Sequence, residues 1–203
     1  MKEVLKMNLP NKLTILRIIL VPFCMFFIAF NFYQSNEMLH LIFAIVGLVL
    51  FSATSLTDML DGKIARKYNL VTDFGKFLDP VADKLLIIGS YLALLVKHSD
   101  DKFYVTFMFW CLFIILFREL AVTSLRMIVS SKVVIAADIM GKIKTVSQMV
   151  AVIVAIIEPV FCKYVYNTNN IASFVIIGIS AVATLVSGLN YFKAYWPYIN
   201  PNK

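Results

Sequence analysis

Charge is scarce in this sequence. Only 15% of its 203 residues are Asp, Glu, Lys or Arg, where soluble domains carry about 25%. That shortage excludes a disordered chain, a charge-flanked coiled coil and an ordinary soluble enzyme. Histidine is scarcer still, with His40 and His98 alone, and both fall at the outer ends of apolar runs in the topology below. A histidine acid–base centre is therefore not expected. Cysteine appears three times, as Cys24, Cys111 and Cys162, with no C-x-x-C pair. That leaves neither a disulfide framework nor a zinc site, and the three read as small apolar side chains. Low-complexity tracts, long linkers and an internal repeat are missing as well.

What fills the chain is apolar. Hydrophobic residues make up 61% and the mean hydropathy is +0.84. The apolar residues form long runs at about 13–32, 40–57, 78–96, 103–129, 134–157 and 171–192, each near the roughly 20 residues that a helix needs to cross a bilayer. Runs of this length exclude an outer-membrane barrel, whose strands are short and alternating. The expectation is an all-α, polytopic membrane protein with six transmembrane helices, forming one domain over residues 1–203. The first run follows Lys2, Lys6 and Lys12, as a secretory signal would. It ends in Phe30, Asn31, Phe32 and Tyr33, a poor cleavage site, and reads as a retained helix bent near Pro22.

Lys and Arg are distributed unequally between alternate sides, sixteen against three. The positive-inside rule puts both termini, residues 58–84 and residues 118–144 in the cytosol. Tyr33, Tyr104, Tyr164, Tyr166, Trp196 and Tyr198 lie near run ends, where an aromatic belt belongs.

Five of the twelve acidic residues crowd into Asp58–Asp83, within TDMLDGKIARKYNLVTDFGKFLDPVADKL. Asp58 and Asp61 are three apart and Asp79 and Asp83 four apart, so each pair shares a helix face. A hairpin through Asn69–Gly75, with Gly75 at its tight position, would bring the four carboxylates together. Crowded carboxylates stay ionised only when cations hold them. Their hard oxygens suit Mg²⁺, Mn²⁺ or Ca²⁺, and four of them can hold two ions. Gly62 permits close backbone approach, Ala65 keeps the same face open, and Arg66 offers a cation to a phosphate. Asp73 lies off the pattern and reads as a surface residue.

The eight residues Asp58, Asp61, Gly62, Ala65, Arg66, Gly75, Asp79 and Asp83 match D-x2-D-G-x2-A-R-x8-G-x3-D-x3-D at every position. This resembles the motif of the CDP-alcohol phosphotransferase family. The resemblance implies six membrane helices, a pair of divalent ions (Mg²⁺ or Mn²⁺), a site open to the cytosol and a homodimer. It also implies transfer of a substituted phosphate from a CDP-linked donor to an alcohol, with release of CMP. Asp83, the last aspartate, would be the general base as well as a metal ligand.

Three more segments, NLPNKLTILRIILVP, RELAVTSLR and GKIKTVSQM, are similar to the phosphatidylglycerophosphate synthase branch of that family. The donor implied is CDP-diacylglycerol and the acceptor sn-glycerol 3-phosphate. Arg118, Arg126, Lys142 and Lys144 suit an anionic acceptor, since charge at a membrane interface marks function by default. Glu119 either orients Arg118 or lies on the helix surface, and Lys132 reads as an anchor. Thr14 and Arg17 either touch the nucleotide or mark an interfacial helix start. Two alternatives stay open. One is a sibling enzyme using phosphatidylglycerol, inositol phosphate or serine; the other is a cation transporter, although transporter carboxylates tend to sit near the midplane in paired repeats.

Overall fold

A computed structural model of the protein describes residues 8–30, 37–68, 72–130, 133, 139–164 and 170–198; the side chains of 37, 58–67, 76 and 162–164 are outside that description. Among the described residues, six long helices follow one another: α1 Leu9–Ala29, α2 Glu37–Lys67, α3 Asp73–Lys97, α4 Lys102–Val129, α5 Ile139–Tyr164 and α6 Ile171–Tyr195, with a short 3₁₀ turn at Trp196–Tyr198. Among the described residues there is no strand. Among the described residues, five helices carry segments long and apolar enough to cross a membrane: Leu9–Ala29, Met38–Thr57, Lys102–Val129, Ile139–Phe161 and Ile171–Tyr198. The sixth, α3, has the length at 25 residues. Its first twelve residues carry Asp73, Lys76, Asp79, Asp83 and Lys84, more charge than a plain span holds.

Two helix boundaries depart from the apolar runs. Helix α2 continues ten residues past the apolar run that ends at Thr57, and so carries Asp58, Asp61, Gly62, Ala65 and Arg66 in helical backbone. Helix α3 starts at Asp73, five residues before its apolar run. Helix α1 runs through Pro22 without interruption.

Helix ends are satisfied locally. Pro10 lies in the first turn of α1, where its missing N–H costs nothing. Asp101 caps α4, its carboxylate accepting from the Tyr104 N–H at 3.0 Å. The start of α6 is capped from α5. The buried Glu158 carboxylate accepts from the N–H of Ala172 at 2.7 Å and from that of Ser173. Negative charge at a helix N-terminus also complements the helix dipole.

The helices divide into two units, Met1–Lys97 and His98–Lys203. In the first, α1 packs against both α2 and α3. Its core includes Val21, Cys24, Ile28, Phe51, Leu86 and Tyr91, and Phe26, Phe27, Phe30 and Phe43 form a ring cluster between α1 and α2. In the second, α6 packs against α4 and α5. Cys24 and Cys111 are buried free thiols, as small apolar side chains would be; the Cys162 side chain lies outside the description. Tyr104 departs from the expected aromatic belt. It is 2% exposed, its hydroxyl donates to Ser173 at 2.9 Å, and its ring meets that of His98. A polar partner inside the unit outweighs a place at the interface. Trp196 and Tyr198 are exposed at the chain's last described turn.

Candidate active site

In the first unit, three polar rungs join α1 to the start of α3. Asn11, Thr14 and Arg17 are spaced three apart, so they line one face of α1. The Asn11 amide exchanges bonds with the Thr72 hydroxyl, donating at 2.9 Å and accepting at 3.1 Å. The Thr14 hydroxyl lies 2.8 Å from Asp79 Oδ1 and 3.1 Å from the Pro10 carbonyl. Arg17 Nη1 donates to Asp83 Oδ1 at 2.9 Å. Partner numbers rise together along both helices, so α1 and α3 run in the same direction. Thr14 and Arg17 are each 1% exposed. Burying a guanidinium this deeply is costly unless it is paired. Asp83, with 52% of its side chain exposed, holds the other end of the pair in the open. An interfacial helix start would not place these side chains inward; both reach the carboxylates of α3.

Gly75 corrects the expected turn. It is the third residue of α3, in helical backbone and buried, and no glycine has a positive φ among the described residues. The reason for glycine is space. A Cβ there would stand 2.8 Å from Asn11 Oδ1 and 3.3 Å from Thr72 Oγ1. Thr72 meanwhile accepts from the Gly75 N–H at 3.1 Å, satisfying one of the N–H groups that a helix start leaves open. The close approach of α1, not a bend, requires the missing side chain.

Asp58, Asp61, Gly62, Ala65 and Arg66 lie on α2, but their side chains are outside the description. Among the described residues no group of three or more His, Cys, Asp or Glu gathers round a metal position. Asp79 and Asp83 are described, one turn apart on α3. They offer oxygen donors alone, the chemistry that suits a hard divalent cation. The residues present therefore fit such an ion.

In the second unit, a buried cationic group joins α4, α5 and α6. Arg118, 8% exposed, donates through Nη1 to Glu119 at 3.2 Å and through Nη2 to Ser187 at 2.8 Å. Its Nε is buried with no partner among the described residues. Its stem crosses α6 at Gly188, where a Cβ would stand 2.8 Å from Arg118 Cγ. Lys144, 9% exposed, also pairs with Glu119, whose side chain is only 14% exposed. Glu119 is thus a largely covered bridge between two cations rather than a freely solvated surface residue. Arg126, two turns beyond Arg118 and itself exposed, donates through Nε to the Tyr191 hydroxyl at 3.0 Å and lies 5.0 Å from that ring's centre. Arg118 and Arg126 both act electrostatically on Lys144. Lys142 is exposed; two residues from Lys144, it occupies a different face of α5. One turn beyond Lys144, Gln148 donates to Thr184 at 2.9 Å, a further buried tie between α5 and α6.

Sequence reasoning missed Asn11, Thr72, Ser187, Gly188 and Tyr191. A signal existed for the first: polar residues at three-residue spacing inside an apolar helix share a buried face. Ser187, Gly188 and Tyr191 carry no comparable mark, because small and aromatic residues are ordinary in a membrane helix.

The fold defines a multi-pass α-helical membrane protein with two polar centres. The CDP-alcohol phosphatidyltransferase family model matches residues 7–186, and the chain belongs to that family. Among curated relatives, the CDP-diacylglycerol–glycerol-3-phosphate 3-phosphatidyltransferase of Rickettsia felis is 40% identical over 94% of this chain and 97% of its own length. The Bacillus subtilis protein of the same name is 38% identical over 93% of this chain and 95% of its own. A probable phosphatidylglycerophosphate synthase of Mycobacterium tuberculosis is 36% identical over 91% of this chain and 79% of its own. The crystal structure of a phosphatidylinositol phosphate synthase from Mycobacterium tuberculosis, with CDP-DAG bound, shares the fold. Its TM-score is 0.63 at 18% identity, over 94% of this chain and 89% of that one. Membership in a transferase family removes the cation-transporter alternative.

Proposed function

We propose that this protein transfers the phosphatidyl group of CDP-diacylglycerol to sn-glycerol 3-phosphate, giving phosphatidylglycerophosphate and CMP. The observation that carries this reading is similarity at 34–40% identity, over more than nine-tenths of the chain, to curated proteins named for that reaction. The buried basic group on α4 and α5 supports an anionic acceptor.

In the reaction, the 1-hydroxyl oxygen of glycerol 3-phosphate bonds to the phosphorus that carries diacylglycerol. The bond from that phosphorus to the CMP oxygen breaks, and CMP leaves. Asp58, Asp61, Asp79 and Asp83 would hold two divalent ions, Mg²⁺ or Mn²⁺, which supply positive charge against the donor's pyrophosphate. Asp83 accepts the hydroxyl proton. Arg17 fixes one oxygen of Asp83 and Thr14 one oxygen of Asp79, so both carboxylates are aimed before substrate arrives; such preorganisation is a large part of phosphoryl-transfer catalysis. Gly62, Ala65, Arg66 and Gly75 complete the donor side of the reading, with Thr14 and Arg17 acting through the carboxylates. Arg118, Arg126 and Lys144 hold the acceptor's phosphate, while Lys142, exposed on another face of α5, is left out of that contact. The charge asymmetry of the loops supports a site at the cytosolic face of the cell membrane. Assembly as a homodimer rests on the family resemblance.

The deciding assay gives purified protein CDP-diacylglycerol with glycerol 3-phosphate, serine, inositol phosphate or phosphatidylglycerol separately, and identifies the lipid formed. Phosphatidylglycerophosphate is expected, with negligible product from glycerol. Efficient use of another acceptor, with none of glycerol 3-phosphate, refutes the assignment. A charge-assisted contact is worth about 1.5–3 kcal/mol, so Arg118→Gln should weaken acceptor use about ten- to a hundred-fold while leaving donor binding in place.

A further inference from the structure

We infer that the Glu119 carboxylate is an internal stand-in for the acceptor's phosphate: it holds Arg118 and Lys144 while no acceptor is bound and yields them to the incoming anion. This rests on the reading that the basic group on α4 and α5 binds the phosphate of the acceptor.

Three observations carry it. First, Glu119 accepts from both Arg118 Nη1 and Lys144 Nζ through one oxygen, Oε1. One anionic oxygen shared by two cations from different helices occupies the place that a phosphate oxygen would take between them. Second, Arg118 is only partly used. Ser187 holds Nη2, but Nε is buried without a partner among the described residues. A guanidinium presents a fork of donors that fits phosphate oxygens, and a buried N–H left open is a costly feature. A tetrahedral anion can engage Nε, whereas the neighbouring carboxylate engages Nη1 alone. Third, the charges match. Arg118, Arg126 and Lys144 contribute three positive charges and Glu119 one negative, leaving a net charge of two. A phosphate monoester carries about −1.5 to −2 near neutral pH. The resting group would otherwise bury two close cations with nothing between them, which is expensive. Ser187 and Gly188 keep the arginine stem in place on α6 as the exchange occurs, and Tyr191 does the same for Arg126.

The exchange makes a prediction opposite to that of a scaffold. If Glu119 competes with the anion, removing its charge strengthens anion binding. If Glu119 merely positions the two cations, removing it weakens anion binding. The experiment uses the full-length protein in detergent–lipid micelles at saturating CDP-diacylglycerol. It measures the KM for glycerol 3-phosphate and the inhibition constant of inorganic phosphate against it, for wild type, E119Q, E119D and R118Q. The expected result is a threefold or larger fall in the phosphate inhibition constant for E119Q, with the KM for CDP-diacylglycerol unchanged. E119D, whose shorter side chain reaches the cations less well, should move the same way by less. It carries the test alone if E119Q elutes as aggregate in size exclusion. An unchanged or raised inhibition constant in these variants, with R118Q raising it as well, overturns the exchange while keeping the acceptor site. If R118Q alters neither acceptor KM nor phosphate inhibition, the acceptor-site reading itself falls and the exchange falls with it.

Discussion

Gly75→Ala tests whether the polar rungs between α1 and α3 set the donor site. The added Cβ would stand 2.8 Å from Asn11 Oδ1, closer than a carbon and an oxygen tolerate, and in tight contact with Thr72 Oγ1 at 3.3 Å. Asn11 must turn away, and its reciprocal bonds with Thr72, at 2.9 and 3.1 Å, are lost. Asn11 is 7% exposed, so its amide has little access to water, and an unsatisfied buried group costs about 1–3 kcal/mol. Alanine in place of glycine inside a helix returns about 1 kcal/mol. The net loss of stability is therefore small, about 0–2 kcal/mol. The loss of activity is larger, because Asn11 lies one turn from Thr14 and two from Arg17, which aim Asp79 and Asp83. Displacement of reacting groups by about 1 Å can cost a hundred-fold in rate. Turnover of CDP-diacylglycerol should fall at least ten-fold while thermal unfolding shifts by only a few degrees. The decisive control is a double-mutant cycle with Asn11→Ala, which removes the atom that clashes. On that background Gly75→Ala should cost almost nothing further. Additive losses would refute the steric account and return Gly75 to a role of direct donor contact.

Other expectations concern the chemistry and the membrane. Asp83→Asn should abolish CMP release while CDP-diacylglycerol binding persists; near-normal CMP release would end the general-base assignment. Activity should disappear with a chelator and return with Mg²⁺ or Mn²⁺, since clustered carboxylates need cations. Sustained turnover in protein shown to be metal-free by elemental assay would contradict the metal reading. Single cysteines at Lys67 and Asn169, in a cysteine-free background, should differ in intact cells. An impermeant thiol reagent added outside should label the second and spare the first, and the reverse pattern would invert the topology.

Much of this protein is written in its linear sequence. Membrane class and helix number follow from run length, because a bilayer core admits only backbone that satisfies its own hydrogen bonds. The orientation reading follows from Lys and Arg placement, which is a local property of loops. The aspartate motif is legible because its residues lie within 26 positions on consecutive helices, so spacing alone puts them on shared faces. The tertiary structure decided what spacing cannot. Gly75 reads as a turn residue until α1 is packed against it, and only then does the constraint become the Asn11 amide 61 positions from Thr72. Arg17 and Thr14 are ambiguous in isolation; the parallel register of α1 and α3 aims them at Asp83 and Asp79. Glu119 could be a surface carboxylate by periodicity, and becomes a largely covered bridge because α5 brings Lys144 to it. Lys142 and Lys144 look equivalent in sequence, yet a helix turns by about 100° per residue, so two positions apart one is buried and the other exposed. Short-range patterns determine which segments are helices and which residues share a face. Which face meets which partner depends on packing between residues tens of positions apart, and that information exists only once the chain has folded.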